Sequence, residues 1–438
     1  MDWEMKKYPM YYGGIKQTYP NVAPGKPIFS RAVKVGNLIF LASMAGRTLD
    51  STWDSMDISD KLEEQVVVSL DKLRGAAEDL GSSMNNFVRT NLSIRNVEDL
   101  PRFWKTSLEY YQKYAPLLVE EPPVSNIIQP ISMAHAVFKE EIGAIAVEST
   151  DKPGWEMKKY PMYYGSVKQT YPNIAPGMPM LSRSAVVGNL IFVSDMDGRT
   201  LETGEVSSDN IEGQTVVALD KLRFALEEAG SSMNNVIKTV IRLNFLEDLP
   251  RLRKVELEYY QKHAPLLVEE PPISTISQPV ALVKSDCLVS IEAVAVQSRD
   301  KPGWKMKRYP MYCGGVKQPY AKSVVVGNLI FSSRVDPQSP ESGKVPPNFE
   351  DQMFICLDKI RSALEEAGGS MNYMVRLSMF PKDMKVYSRM RKTELEYYQT
   401  HAPLLVEEPP IGGPLQLRSL TKPEYLIELG EVVGVIAK

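Results

Sequence analysis

The sequence predicts an α+β protein built from three copies of one domain, and three observations point there. The phrase APLLVEEPP recurs at residues 115–123, 264–272 and 402–410. A Gly-Asn pair stands between two apolar, β-branched runs in three places. Helical apolar spacing follows each pair. The units, residues 1–150, 151–299 and 300–438, are far longer than the roughly 20–50 residues of a solenoid repeat, and each is large enough to build its own core. Three fused copies place in one chain what a homotrimer assembles from three.

Each copy opens at a tryptophan: Trp3, Trp155 or Trp304. The linker DKPGW precedes the second and third copies, and its Pro-Gly pair marks a turn. A tyrosine-rich lead follows at 8–13, 160–165 and 309–314, expected as an arm laying its aromatic faces on the body or on a neighbouring copy. Next come the pairs Gly36-Asn37, Gly188-Asn189 and Gly327-Asn328. Glycine first in a two-residue turn signals a type II′ hairpin, and the β-branched flanks read as strands. After a loop of variable length, copy two has a helix over 210–229. Val216, Leu219, Leu222, Phe224 and Leu226 form its expected apolar stripe, with Lys221, Glu227 and Glu228 outside. Gly230 ends it, as Gly81 and Gly368 do in the other copies. A strand at 236–244, a second helix containing 257–261, and strands at 273–282 and 288–297 complete the order ββαβαββ. Two amphipathic helices cover one sheet face. Stretches apolar on both faces, such as 191–193 and 236–241, imply that the second face meets another sheet. Three sheets facing inward then make a barrel-like centre with pseudo-threefold symmetry.

Composition narrows the function. Lys and Arg number 51 against 54 Asp and Glu, and no long basic stripe offers the footprint of a nucleic-acid binder. No apolar run reaches membrane-spanning length, and the charged N-terminus lacks a signal-peptide core, so a cytoplasmic protein is expected. Cys287, Cys313 and Cys356 fall at unrelated positions, without the paired spacing of a disulfide framework or zinc site. His263 and His401 occupy equivalent places where copy one has Tyr114. Surface helix ends explain them better than a shared catalytic or metal role.

Residues 320–328, 188–194, Gln214, 229–239 and 291–295 match, in order and spacing, the RidA family (YjgF/YER057c, reactive-intermediate deaminase). The chain resembles that family in each copy, apart from the tyrosine-rich lead. The resemblance implies a chorismate-mutase-like fold and a trimer with small-molecule clefts between adjacent units. It implies hydrolysis of reactive imines and enamines to 2-oxoacids and ammonia, with no metal or organic cofactor. A ribonuclease activity has also been attached to the family, and the near-neutral charge gives it no support. In the family an arginine grips the substrate carboxylate through its planar fork, and a last-strand glutamate positions the attacking water.

Carried over residue by residue, the pattern is broken. The arginine positions hold Val124, Ile273 and Ile411. The glutamate position holds Glu292 in copy two but Gly143 and Gly430 in the others. The cleft tyrosine falls at Phe29, Leu181 and Tyr320, and a strand-ending serine at Ala42, Ser194 and Ser333. Glu292 and Ser194 are therefore the catalytic candidates, and Tyr320 joins the aliphatic positions in lining clefts. Arg31, Arg183 and Lys322, two residues past the tyrosine position, are either anion-binding charges or solvated strand residues. Glu121, Glu270 and Glu408, each after another glutamate, either do acid–base work or form a solvated rim. Arg47 and Arg199 lie just past the second strand, without a clear counterpart in copy three. Copy three is shorter than copy two before its hairpin, so non-equivalent clefts are expected, with no other chain needed to complete the trimer and no nucleic-acid or membrane partner. Two functions stand: a cofactor-free hydrolase working between repeats, or a metabolite-binding scaffold that kept the fold and lost the chemistry.

Overall fold

The computed structural model describes residues 3–12, 15–16, 18–19, 23–50, 57–164, 167–168, 170–171, 175–313 and 315–436. In copy one, six strands run in the order Met5–Pro9, Ser30–Val35, Leu38–Ala45, Glu140–Val147, Phe87–Ile94, Val124–Ile128. Copy two repeats the order with Met157–Pro161, Ser182–Val187, Leu190–Asp197, Val289–Val296, Val236–Leu243 and Ile273–Ser277. Neighbours are antiparallel except the last pair, which is parallel and sets Arg89 beside Val124 and Lys238 beside Ile273. Copy three has five strands: Met306–Cys313, Val316–Val326, Leu329–Ser332, Ile427–Val435 and Met374–Pro381.

The two-residue turns close as the glycines require. Val35 pairs with Leu38, Val187 with Leu190 and Val326 with Leu329. Gly36, Gly188 and Gly327 have φ of 58°, 64° and 60°, while the asparagines that follow stay at negative φ, the type II′ pattern. The first tyrosine of each lead, Tyr8, Tyr160 or Tyr309, packs against a hydrophobic core as expected of the arm. The start of the lead is an edge strand, which ends at Pro9 and Pro161 in copies one and two but runs through Pro310 to Cys313 in copy three. Residues 13, 165 and 314 of the lead lie outside the described residues.

The long helix of copy two spans Ile211–Glu228, and the Asn210 side chain caps it by accepting from the Gly213 N–H at 2.8 Å. Its buried stripe is Ile211, Thr215, Ala218, Leu219, Leu222, Ala225 and Leu226. Val216 and Phe224 point outward, off the stripe by about one residue's rotation, and Arg183 covers the Phe224 ring at 4.7 Å. Lys221, expected outside, runs beneath the helix and pairs with Asp197 at 2.7 Å. The helices pack on one face of each sheet.

The opposite faces meet. One hydrophobic cluster contains Phe40, Phe192 and Phe331 with Trp3, Trp155 and Trp304, so all three copies contribute to it. The tryptophan ring centroids lie 6.4, 4.9 and 5.3 Å apart. Backbone bonds join each pair of copies: Ser182 N–H to Pro123 O at 3.2 Å, Ala321 N–H to Pro272 O at 2.9 Å, and Ser30 N–H to Pro410 O at 3.2 Å. The last proline of each APLLVEEPP is thus an acceptor for another copy. Among the described residues no helix is long and apolar enough to cross a membrane.

Candidate active site

Cavities open beside two of those inter-copy bonds, between copies one and two and between copies three and one. Val124, Ile273 and Ile411 are only 1–3% exposed and pack into the shared hydrophobic cluster, and Ile411 also lines the cavity between copies three and one. Ser194 is spent on the junction: its hydroxyl donates to Ser182 O at 2.7 Å and accepts from the Ser125 N–H at 2.9 Å. Ser333 repeats this, donating to Ala321 O and accepting from the Ser274 N–H at 3.1 Å. Ala42 has no hydroxyl to offer at the third junction, where Gly412 stands in place of the serine.

The next residue along that strand makes the clefts unlike one another: it is Ser43, Asp195 or Arg334. Arg334 fills the cleft between copies two and three. Its guanidinium donates to Ile276 O at 2.7 Å, pairs with Glu428 at 2.5 Å and lies 4.2 Å from the Phe380 ring centre. Arg253 enters the same cleft from the second helix of copy two and donates to Ser274 Oγ at 2.9 Å. Tyr320 stands near it, its hydroxyl pushed up by burial. The cleft between copies one and two holds a largely apolar cavity of 300 Å³, walled by Trp104, Met162, Met180 and Leu181, with Asp195 at its base. Burial pushes Asp195 up to about 7 against the pull of its partner Arg242.

Ser43 is small, so the cleft between copies three and one stays open. A cavity of 140 Å³ is lined there by Phe29, Arg47, His135, Glu141, Arg391 and Ile411, and it continues inward to Arg242, Arg376 and Glu431. Glu141 lies two residues before Gly143 on one strand, hence on the same face, so this cleft has a carboxyl one pleat away from the position of Glu292. Burial pushes Glu141 up to about 8, against the pull of Lys72. Lys72 itself is drawn down to about 7 by burial. It donates to the carbonyls of Ala45 and Arg47, where its counterparts Lys221 and Lys359 meet Asp197 and Asp336 at 2.7 Å. His135 is lowered by burial and by Arg47. Arg391, on the helix Tyr387–His401, is oriented by Glu394 at 2.8 Å, which also accepts from Tyr398 Oη at 3.0 Å. A neutral acid and a guanidinium therefore face one small space.

Glu292 is buried where copies one and two meet. Arg89 of copy one holds it at 2.6 Å and Arg242 at 3.0 Å, and Asn126 donates to it. Burial pushes its carboxyl up, but Arg89, Arg242 and Lys238 outweigh this and hold it at about 2. Copy three supplies a second carboxylate that alignment does not suggest. A bulge between Arg376 and Ser378 admits Glu431 beside Gly430, at a φ of 50°, where it pairs with Arg376 at 2.5 Å.

The remaining expected residues lie elsewhere. Arg31, Arg183 and Lys322 reach the end of the first helix of their own copy, pairing with Asp79 at 2.7 Å, Glu228 at 3.1 Å and Glu366 at 2.5 Å. Glu121, Glu270 and Glu408 are exposed, and their backbone carbonyls accept from Lys159, Arg308 and Lys7 of the next copy's edge strand. Sequence reasoning missed Glu141, Arg391 and Glu431. An Arg-x-x-Glu spacing at Arg253-Glu256 and Arg391-Glu394, with Trp104 and Ser107 in copy one, was the available signal for the helix arginines.

The family model described as endoribonuclease L-PSP matches residues 175–297 and 315–434, more than half of the chain. A RutC family protein of Pyrococcus abyssi is 32% identical over 114 residues, covering 26% of this chain and 84% of that protein. The 2-iminobutanoate/2-iminopropanoate deaminase of Escherichia coli is 29% identical over 83 residues, 19% of this chain and 65% of that enzyme. A solved member of the YjgF/YER057c/UK114 family from Mycobacterium tuberculosis superposes with a TM-score of 0.25 at 24% identity, covering 32% of this chain and 98% of its own. A chorismatase structure superposes with a TM-score of 0.43 at 14% identity, covering 63% of this chain and 78% of its own.

Proposed function

The chain belongs to the family described as endoribonuclease L-PSP, and from that premise we propose a single-chain pseudo-trimer that hydrolyses a small imine or enamine between its third and first copies. In this reading the units 1–150, 151–299 and 300–438 close around a central barrel without a further chain. The three proline-carbonyl bonds, each to a different copy, and the core around Trp3, Trp155 and Trp304 support the ring.

One observation carries the reaction: Glu141, raised to about 8, faces a 140 Å³ cavity. A carboxyl that is protonated near neutrality can give its proton to an imine nitrogen. The carbon becomes electrophilic, water adds to it, and the carboxylate just formed accepts the proton of that water. Returned to nitrogen, that proton expels ammonia while the carboxylate takes the hydroxyl proton, leaving a carbonyl and the acid restored, so one water is consumed for each ammonia formed. Nothing in this scheme needs a metal or organic cofactor. Arg391 presents a planar guanidinium suited to a substrate carboxylate, taking from a helix what the strand position of Ile411 does not supply. A second reading, ligand binding without turnover, is favoured by the burial of Val124, Ile273 and Ile411.

The test is release of ammonia and 2-oxoacid from 2-iminobutanoate or 2-iminopropanoate generated in situ, the substrates named for the Escherichia coli relative. Wild-type chain should beat the blank, and Glu141→Gln should lower the rate by about 100-fold. A wild-type rate equal to the blank, with a ligand-dependent rise in melting temperature, would establish binding alone. A fully active Glu141→Gln would remove this carboxyl from the mechanism.

A further inference from the structure

Arg89, Lys238 and Arg376 occupy the same place, the third residue, in the strands Phe87–Ile94, Val236–Leu243 and Met374–Pro381. We propose that this central ring of three basic side chains, one from each copy, binds a small monovalent inorganic anion of halide size.

The charges around it do not balance. Four cations, Arg89, Lys238, Arg242 and Arg376, gather with three carboxylates, Asp195, Glu292 and Glu431. Each carboxylate is already engaged by a guanidinium: Glu292 by Arg89 and Arg242, Asp195 by Arg242, and Glu431 by Arg376. Lys238, 7% exposed, has no direct hydrogen bond or ion pair among the described residues. An ammonium on a largely buried side chain without a direct partner is costly, and an anion would offset that cost. Burial draws Lys238 down to about 8, with Arg89 and Arg376 adding to that pull while the more distant charges of Glu431 and Glu292 oppose it.

Unused donors point the same way. Thr275 Oγ1 and Arg242 Nε are buried without a hydrogen-bond partner among the described residues. Thr275 and Arg242 lie on the wall of the 140 Å³ cavity that leads in from the third–first cleft. Its inner wall takes Asn91 from copy one, Thr275 from copy two and Arg376 from copy three, so all three copies contribute to the approach. A halide occupies about the volume of one water, roughly 30 Å³, well under the 140 Å³ of that approach. The surplus of one cation selects a single negative charge.

Two measurements on the full chain decide this. At equal ionic strength, the melting temperature should be at least about 2 °C higher in 0.2 M sodium bromide than in sodium gluconate, whose anion is too bulky to enter. Lys238→Gln should abolish the difference and Lys238→Arg should keep it. Crystals grown in bromide should show an anomalous peak at Lys238 Nζ, a readout that does not depend on any variant folding. Bromide found only at the surface, or an undiminished halide effect in Lys238→Gln, would overturn the site.

Discussion

Glu140 and Glu141 are adjacent on one strand and face opposite ways, as strand pleating demands. Glu141 looks into a cleft, while Glu140 lies under the first helix, accepting from Ser69 Oγ at 2.6 Å. That they alternate is legible in the sequence. That both are held protonated is not, because the burial responsible comes from a helix some seventy residues away and from another copy. Burial pushes Glu140 up from an ordinary 4.5 to about 8, against the Ser69 bond and Lys72. A carboxyl with a raised folded pKa binds its proton more tightly in the native state. Its contribution to stability is full below 4.5 and is lost as pH rises through 8. Lys72, drawn to about 7, changes stability only above that pH. Glu140→Gln keeps a partner for Ser69 and should therefore flatten the fall in stability between pH 5 and 7 by about 1.4 kcal/mol per pH unit, one proton's worth. Urea denaturation across that range checks it, and an unchanged slope would mean that Glu140 is ionised in the folded state.

At the scale of elements, the segment after the second helix shows where pattern reading stops. In copies one and two it is a strand, Val124–Ile128 and Ile273–Ser277. In copy three the segment forms no strand among the described residues: Ile411 and Pro414 pair with the neighbouring strand only as isolated bridges, with further backbone bonds at Gly413 and Leu415. Gly412 takes a φ of 135° and Pro414 has no N–H to donate, so a ladder cannot form. A Cβ on Gly412 would stand 1.8 Å from Leu377 O. Gly412→Ala should thus cost about 3 kcal/mol or more in chemical denaturation. Gly413→Ala, whose Cβ meets nothing within 4 Å, should cost less than about 1 kcal/mol. Equal costs would show that the chain relaxes around the clash. The helix of copy two carries the complementary lesson. Its ends were legible from Asn210 and Gly230, but Val216 and Phe224 were misplaced on its stripe, because short windows leave the phase of a helical face poorly defined.

For the whole molecule, the proposed ring needs the contact between copies three and one, which no linker enforces. Trp3 lies at that contact, 4.9 Å from Trp304, and the turn at Gly327 has no room for a Cβ because Trp3 would meet it at 2.7 Å. Trp3→Ala should lower stability by about 3–5 kcal/mol and shift tryptophan emission to the red as Trp155 and Trp304 gain water. Unchanged emission and midpoint would mean that the three tryptophans do not hold the copies together.

The repeated phrase, the Gly-Asn turns and the helix-ending glycines were enough, without coordinates, to read an α+β chain with repeated copies, because those signals act within a few residues of one another. Which clefts are open depended on Ser43, Asp195 and Arg334, and which carboxyls are neutral depended on what buries them. Both are properties of space shared between copies, and residues far apart in sequence define that space. The same holds for Arg89 and Glu292, which come from different copies and meet at 2.6 Å.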